Sequence, residues 1–196
     1  VIRADPLVVA ADLRREAEQL LHAIRFPDWT SQYGKIEPAG SYVYDVMSWR
    51  DLDCTCRLHP GVDPVAALWD WCRLAQQRFA WAKFNFQNFL GDRKPWWPRG
   101  IYLGAQLVRP EFGGEWKVDL WALSPESQTQ ADELLQDIKA RLTPELRPLI
   151  LSLKHELMQG HSRVPQQRSL ALYRAVLWEG LRERDQIFEF LEKRRD

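Results

Sequence analysis

The chain has 196 residues, 45% of them hydrophobic and 28% charged, a balance that suits one soluble globular domain with a sizeable core. Lysine plus arginine equals aspartate plus glutamate at 27 each, so the overall basic excess of a long nucleic-acid binder is missing and small or protein partners are favoured. No run of about 18 apolar residues is present, which excludes a membrane-spanning helix; three cysteines without framework spacing point to a reducing compartment, the cytoplasm.

The opening stretch VIRADPLVV carries a short apolar patch followed by charges, unlike a cleavable signal peptide. Residues 8–25 repeat apolar positions at helical spacing and stop before Phe26-Pro27-Asp28. GKIEPAG (34–40) and DLDCTCRL (51–58) are short strand candidates, separated by a segment that begins at Gly40-Ser41. Residues 64–79 open with a proline at a first-turn position and keep a helical stripe. WAKFNFQNF (81–89), GIYLGAQLVRP (100–110) and the stretch after Gly113-Gly114, EWKVDLWAL, read as three further strands.

From Ser124 onward only helices are predicted. Ser124-Pro125-Glu126 and Thr143-Pro144-Glu145 repeat a cap, proline, acid signature, the second helix ending at Gly160. Residues 165–195 form one or two more, broken near Gly180. The fold class is therefore α/β (α+β): a small mixed sheet flanked by helices in residues 1–123, then a helical subdomain in residues 124–196.

Within DLDCTCRL, period-two alternation puts Asp51 and Asp53 on one face and Leu52, Cys54 and Cys56 on the other. Cys54-x-Cys56 with His59 lacks the fourth ligand of a structural zinc site, and packing is the better reading of these cysteines. In KVDLW, Val118, Leu120 and Ala122 share the apolar face, and Asp119 lies opposite with Lys117. Three aspartates on neighbouring strands and one side of a sheet repel each other unless a cation sits among them. Hard oxygen ligands without histidine or cysteine select Mg²⁺ or Mn²⁺, the metals of two-metal phosphoryl and nucleotidyl transfer. Gly40 lets backbone approach a phosphate and Ser41 adds a hydroxyl donor.

Gly40-Ser41, nine residues, Asp51-Leu52-Asp53, and a later strand aspartate, Asp119, together resemble the signature of the DNA polymerase β-like nucleotidyltransferase superfamily. The layout is similar to that of minimal or antibiotic-type members, and the likeness covers residues 34–58 and 115–123. About 65 residues, including extra strands, separate Asp53 from Asp119, a departure that leaves Glu115, on the same strand face, as a rival third carboxylate. The resemblance implies that Asp51, Asp53 and Asp119 hold divalent metal, that Asp119 completes the metal site or helps deprotonate the acceptor hydroxyl, and that Gly40 and Ser41 contact the phosphates of a nucleoside triphosphate. The implied reaction moves a nucleoside monophosphate from the triphosphate to a hydroxyl of a small-molecule or protein acceptor. A non-catalytic nucleotide- or protein-binding regulatory module, antitoxin-like, is the alternative on the same fold, and the apolar C-terminal helices leave room for a homodimer.

The blander readings are specific. Asp51 and Asp53 can lie on a solvated edge strand paired with Arg50. Lys117 can neutralise phosphate or simply cover a sheet edge. Tyr42, Tyr44, Trp96 and Trp97 can stack on a base or pack. His155 and His161 are isolated histidines, and Lys154 and Tyr173 fall in helical patterns that can line a cleft between the halves.

Overall fold

A computed structural model describes residues 5–91, 98–158 and 166–193. Trp96, Trp97, Gly160 and His161 lie outside the described residues.

Three helices start as local chemistry dictates. In α1 (Pro6–Ile24) the Asp5 carboxylate accepts from the Leu7 N–H, and in α4 (Pro64–Arg78) Asp63 does the same for Val65. In α5 (Pro125–Arg141) the Ser124 hydroxyl caps Ser127. Each has proline in its first turn, where no backbone N–H is needed. A short α2 (Pro27–Tyr33) leads into β1 (Gly34–Pro38). The Gly40-Ser41 segment is a single helical turn, α3 (Gly40–Val43), where the sequence suggested a turn between strands.

β2 (Asp51–Leu58), β3 (Trp81–Asn88), β4 (Gly100–Arg109) and β5 (Gly114–Leu123) complete a five-stranded sheet in the order β1-β2-β5-β4-β3. β2 and β5 run parallel, and the other pairs are antiparallel. β2 is thus an interior strand, which removes the solvated-edge reading of its aspartates. Arg50 likewise pairs with Glu16 of α1, at 2.8 Å, rather than with either of them.

One sheet face carries Leu52, Cys54, Cys56, Leu103, Ala105, Leu107, Val118 and Leu120, all buried against α1, α2 and α4. Trp29 and Trp71 anchor this layer, and each indole N–H finds a carbonyl, Ala67 O at 2.7 Å and Ile24 O at 3.1 Å, so burying them costs no unpaired donor. Cys54, Cys56 and Cys72 are buried free thiols of this core.

α6 (Leu146–Leu157), α7 (Gln166–Tyr173) and α8 (Arg184–Lys193) follow the sheet. α6 begins three residues after Thr143, whose backbone carbonyl accepts from Leu146 and Arg147; Thr143, the predicted cap, precedes a turn at Pro144-Glu145, and Glu145 is the N-cap instead. A π turn at Arg174–Trp178 continues α7, and the chain then turns at Gly180, φ +67°. Ile150, Leu153, Leu172, Val176 and Ile187 form a second apolar cluster, which also takes in Ala10 of α1 and Val46.

Candidate active site

The opposite face of the sheet is polar and forms the floor of a cleft of about 690 Å³, roofed by Leu134 and Ile138 of α5 and by Ser169, Leu170 and Tyr173 of α7. The parallel β2–β5 register decides what meets there. Asp51 lies opposite Lys117 and Asp53 opposite Asp119, so alternation on both strands turns all four side chains the same way. The carboxylates of Asp51, Asp53 and Asp119 each offer an oxygen within 4.8 Å of the others. Glu115, the rival third acid, is exposed at the start of β5 opposite Val108 and is no part of this cluster.

The hydrogen bonds within the cluster are unequal. Lys117 Nζ lies 3.2 Å from Asp51 Oδ1 and 2.5 Å from Asp119 Oδ2. The Trp49 indole donates to Asp51 Oδ2 at 3.1 Å and the Tyr102 hydroxyl to Asp119 Oδ1 at 2.8 Å. Burial, reinforced by the charges of Asp51 and Asp119, pushes the Asp53 carboxyl up to about 7 despite Lys117 and Lys154. Burial also raises Asp119, with Asp51 adding to the effect and Lys117 opposing it. Burial pulls Lys117 down, but Asp51 and Asp119 outweigh it and its ammonium is held above the ordinary lysine range.

Gly40 and Ser41 stand beside these acids. The Ala39 N–H donates to the Asp53 carbonyl at 2.8 Å, and Gly40 takes φ +56°, a conformation that disfavours any side chain. A Cβ on Gly40 would strike the Asp53 carboxylate, so only glycine allows this approach. Two arginines clamp the turn that follows: Arg14 of α1 donates to Tyr42 O at 2.7 Å, and Arg147 of α6 to Asp45 O at 2.7 Å.

Lys154 of α6 is fully buried behind Ser41. Its ammonium donates to Ser41 Oγ at 2.8 Å, to Val46 O at 2.7 Å and to the Tyr173 hydroxyl at 3.3 Å, and lies 4.6 Å from the centre of the Trp49 ring. Burial lowers it to about 7, with Asp53 and Asp51 opposing the fall. Tyr173 and Tyr44 meet edge to face at 5.7 Å, and burial lifts the Tyr44 hydroxyl to about 12. Ser48 Oγ, among the cleft-lining residues, is buried with no hydrogen-bond partner among the described residues.

The structure therefore brings together every residue singled out for the site: Gly40, Ser41, Asp51, Asp53, Lys117 and Asp119 all lie in this one place. Lys154 and Tyr173 join them. Trp49 and Tyr102 are additions, and both had a weak signal: Trp49 shares the parity of Asp51 two residues before it, and Tyr102 alternates with core positions Ile101 and Leu103. Lys83, Asn85, Gln87 and Gln106, the polar halves of two alternating strands, extend the cleft floor toward the β3 edge. His155 has no place among the cleft-lining residues. A set of three carboxylates with no nitrogen or sulfur donor, next to a backbone that tolerates no Cβ, fits a hard divalent cation.

No protein-family model matches the sequence, and no curated protein matches it. Solved structures do. The Cid1 poly(U) polymerase with MgGTP bound is similar over 74% of this chain and 42% of its own, at 14% identity and a TM-score of 0.52. The non-canonical poly(A) polymerase GLD-2, in complex with GLD-3, is similar over 89% of this chain and 59% of its own, with the same identity and TM-score. The chain spans less than two thirds of the length of either. The chain shares its fold with these two polymerases.

Proposed function

We propose that this chain is a divalent-metal-dependent nucleotidyltransferase that moves a nucleoside monophosphate from a nucleoside triphosphate to a hydroxyl, releasing pyrophosphate. The observation that carries the reading is the convergence of Asp51, Asp53 and Asp119 on one face of the parallel β2–β5 pair, with Gly40 packed against Asp53. When bound, Mg²⁺ or Mn²⁺ neutralises triphosphate oxygens and the charge that develops on the attacking oxygen. Asp51, Asp53 and Asp119 are the residues that would hold it.

The chain's own groups do the rest. The acceptor oxygen forms a bond to the α-phosphorus as the bond to pyrophosphate breaks, and the hydroxyl proton leaves to Asp119, whose raised affinity for protons suits a base. The Ser41 hydroxyl, fixed from behind by Lys154, hydrogen-bonds the triphosphate, and Gly40 admits it close to the backbone. Lys117 places positive charge on the transferring group. Tyr44 and Tyr173 offer ring faces and edges for a base at the roof of the cleft.

Zero net charge favours a small-molecule or protein acceptor, and the likeness to polymerases adds the terminal hydroxyl of a polynucleotide to the candidates. Residues 1–123 form the catalytic unit and residues 124–196 a helical subdomain, a division supported by the two apolar clusters. The test is isotope-labelled triphosphate with Mg²⁺ and an acceptor panel, read as pyrophosphate release and labelled acceptor. Triphosphate binding without turnover on any acceptor would instead assign the chain to the non-catalytic module.

A further inference from the structure

We infer that the acidic cluster takes one divalent cation, centred on Asp53, and that the Lys117 ammonium occupies the position of a second between Asp51 and Asp119. The inference rests on the nucleotidyltransferase reading and departs from the two-metal arrangement that the sequence suggests. The carboxylate oxygens are not equivalent. Both oxygens of Asp51 have a donor, Lys117 Nζ at 3.2 Å and Trp49 Nε1 at 3.1 Å. Both oxygens of Asp119 do too, Lys117 Nζ at 2.5 Å and the Tyr102 hydroxyl at 2.8 Å. Among the described residues, no side-chain donor is recorded on Asp53.

Strand geometry delivers this ammonium. Lys117 lies directly opposite Asp51 and two residues ahead of Asp119 on the same face, so its ammonium hydrogen-bonds those two carboxylates, at 3.2 and 2.5 Å, and not that of Asp53. A lysine ammonium is a compact point charge with three donors, suited to bridging two anions. With all three carboxylates ionised, the Lys117 ammonium leaves two negative charges among these four groups, which a single divalent ion balances. A second divalent ion between Asp51 and Asp119 has to expel Lys117 from both of its partners. In the proposed reaction the ammonium then supplies a fixed positive charge beside Asp119, where the acceptor oxygen gains charge.

The experiment counts Mn²⁺ bound by the full chain, by electron paramagnetic resonance of free Mn²⁺, with the Asp53→Asn variant as baseline for adventitious sites. Wild type is expected to bind one ion above that baseline. Lys117→Met, checked for folding by circular dichroism, is expected to bind two, and Lys117→Arg, which keeps the charge, one. Any wild-type count other than one overturns the inference, whether or not the variants fold, and so does an unchanged count in folded Lys117→Met. The count is independent of turnover. One ion in wild type and two in Lys117→Met, with no transfer to any acceptor, leaves the inference standing and removes the nucleotidyltransferase reading; no bound ion in either removes both.

Discussion

Asp53 and Asp119 are direct partners across the parallel β2–β5 pair, 66 positions apart in the chain and facing one cleft. Like charges this close store repulsion that a cation, a proton or a neutral substitution would relieve.

Asp53→Asn removes a carboxylate whose charge burial and two like neighbours oppose. In metal-free buffer the variant should melt at a higher temperature than wild type. Its nucleotidyl transfer should fall by on the order of 10³-fold, and Mg²⁺ should no longer raise its melting temperature. Thermal denaturation with and without Mg²⁺, beside the labelled-triphosphate assay, reads all three; undiminished transfer would refute the assigned role.

Gly40→Ala places a methyl against the Asp53 carboxylate in a backbone conformation with φ +56°. The conformational cost alone is about 1–2 kcal/mol. Urea denaturation should show at least that loss, and Mn²⁺ binding should weaken because Asp53 is displaced. Gly61→Ala, also at positive φ but with nothing near its Cβ, is the control: it should lose stability and keep Mn²⁺ affinity.

Lys154→Met keeps most of the buried stem and deletes an ammonium bonded to Ser41, Val46 and Tyr173. Leaving these acceptors unpartnered should cost about 1–3 kcal/mol. Because Ser41 loses its support, KM for the triphosphate should rise more than kcat falls. Equal effects on both would place Lys154 in folding alone.

The pH dependence of stability has a defined shape without metal. Asp53 titrates near 7 when folded against 3.8 ordinarily, so between those values the folded state holds a proton that the unfolded chain has released, and stability falls as pH rises. Lys154 titrates near 7 when folded against 10.5 ordinarily, so between those values the unfolded chain holds the extra proton, and stability rises with pH. The two contributions meet in a minimum near neutrality. Asp53→Asn should flatten the acid limb and Lys154→Met the alkaline one, as measured by denaturation across pH in chelator; a monotonic wild-type curve that neither substitution changes would contradict both assignments.

What the amino-acid sequence determined by itself is what local chemistry controls. Asp5, Asp63 and Ser124, each followed by proline, start helices because a side-chain oxygen and a missing N–H act within a few residues. Alternation put Asp51 with Asp53 on one face and Cys54 with Cys56 in the core, because the pleat has a period of two wherever the strand lies. Tertiary structure decided what pairing alone can decide. Alternation treats Glu115 and Asp119 alike; the β2–β5 register sets Asp119 beside Asp53 and leaves Glu115 opposite Val108. Arg50 could not be assigned to Glu16, nor Lys154 to Ser41, from residues 34 and 113 positions apart, because such partners are chosen by how helices pack on the sheet. The ammonium of Lys117 between two carboxylates belongs to the same class: its face was legible in the strand, and its partners were fixed when a second strand came alongside.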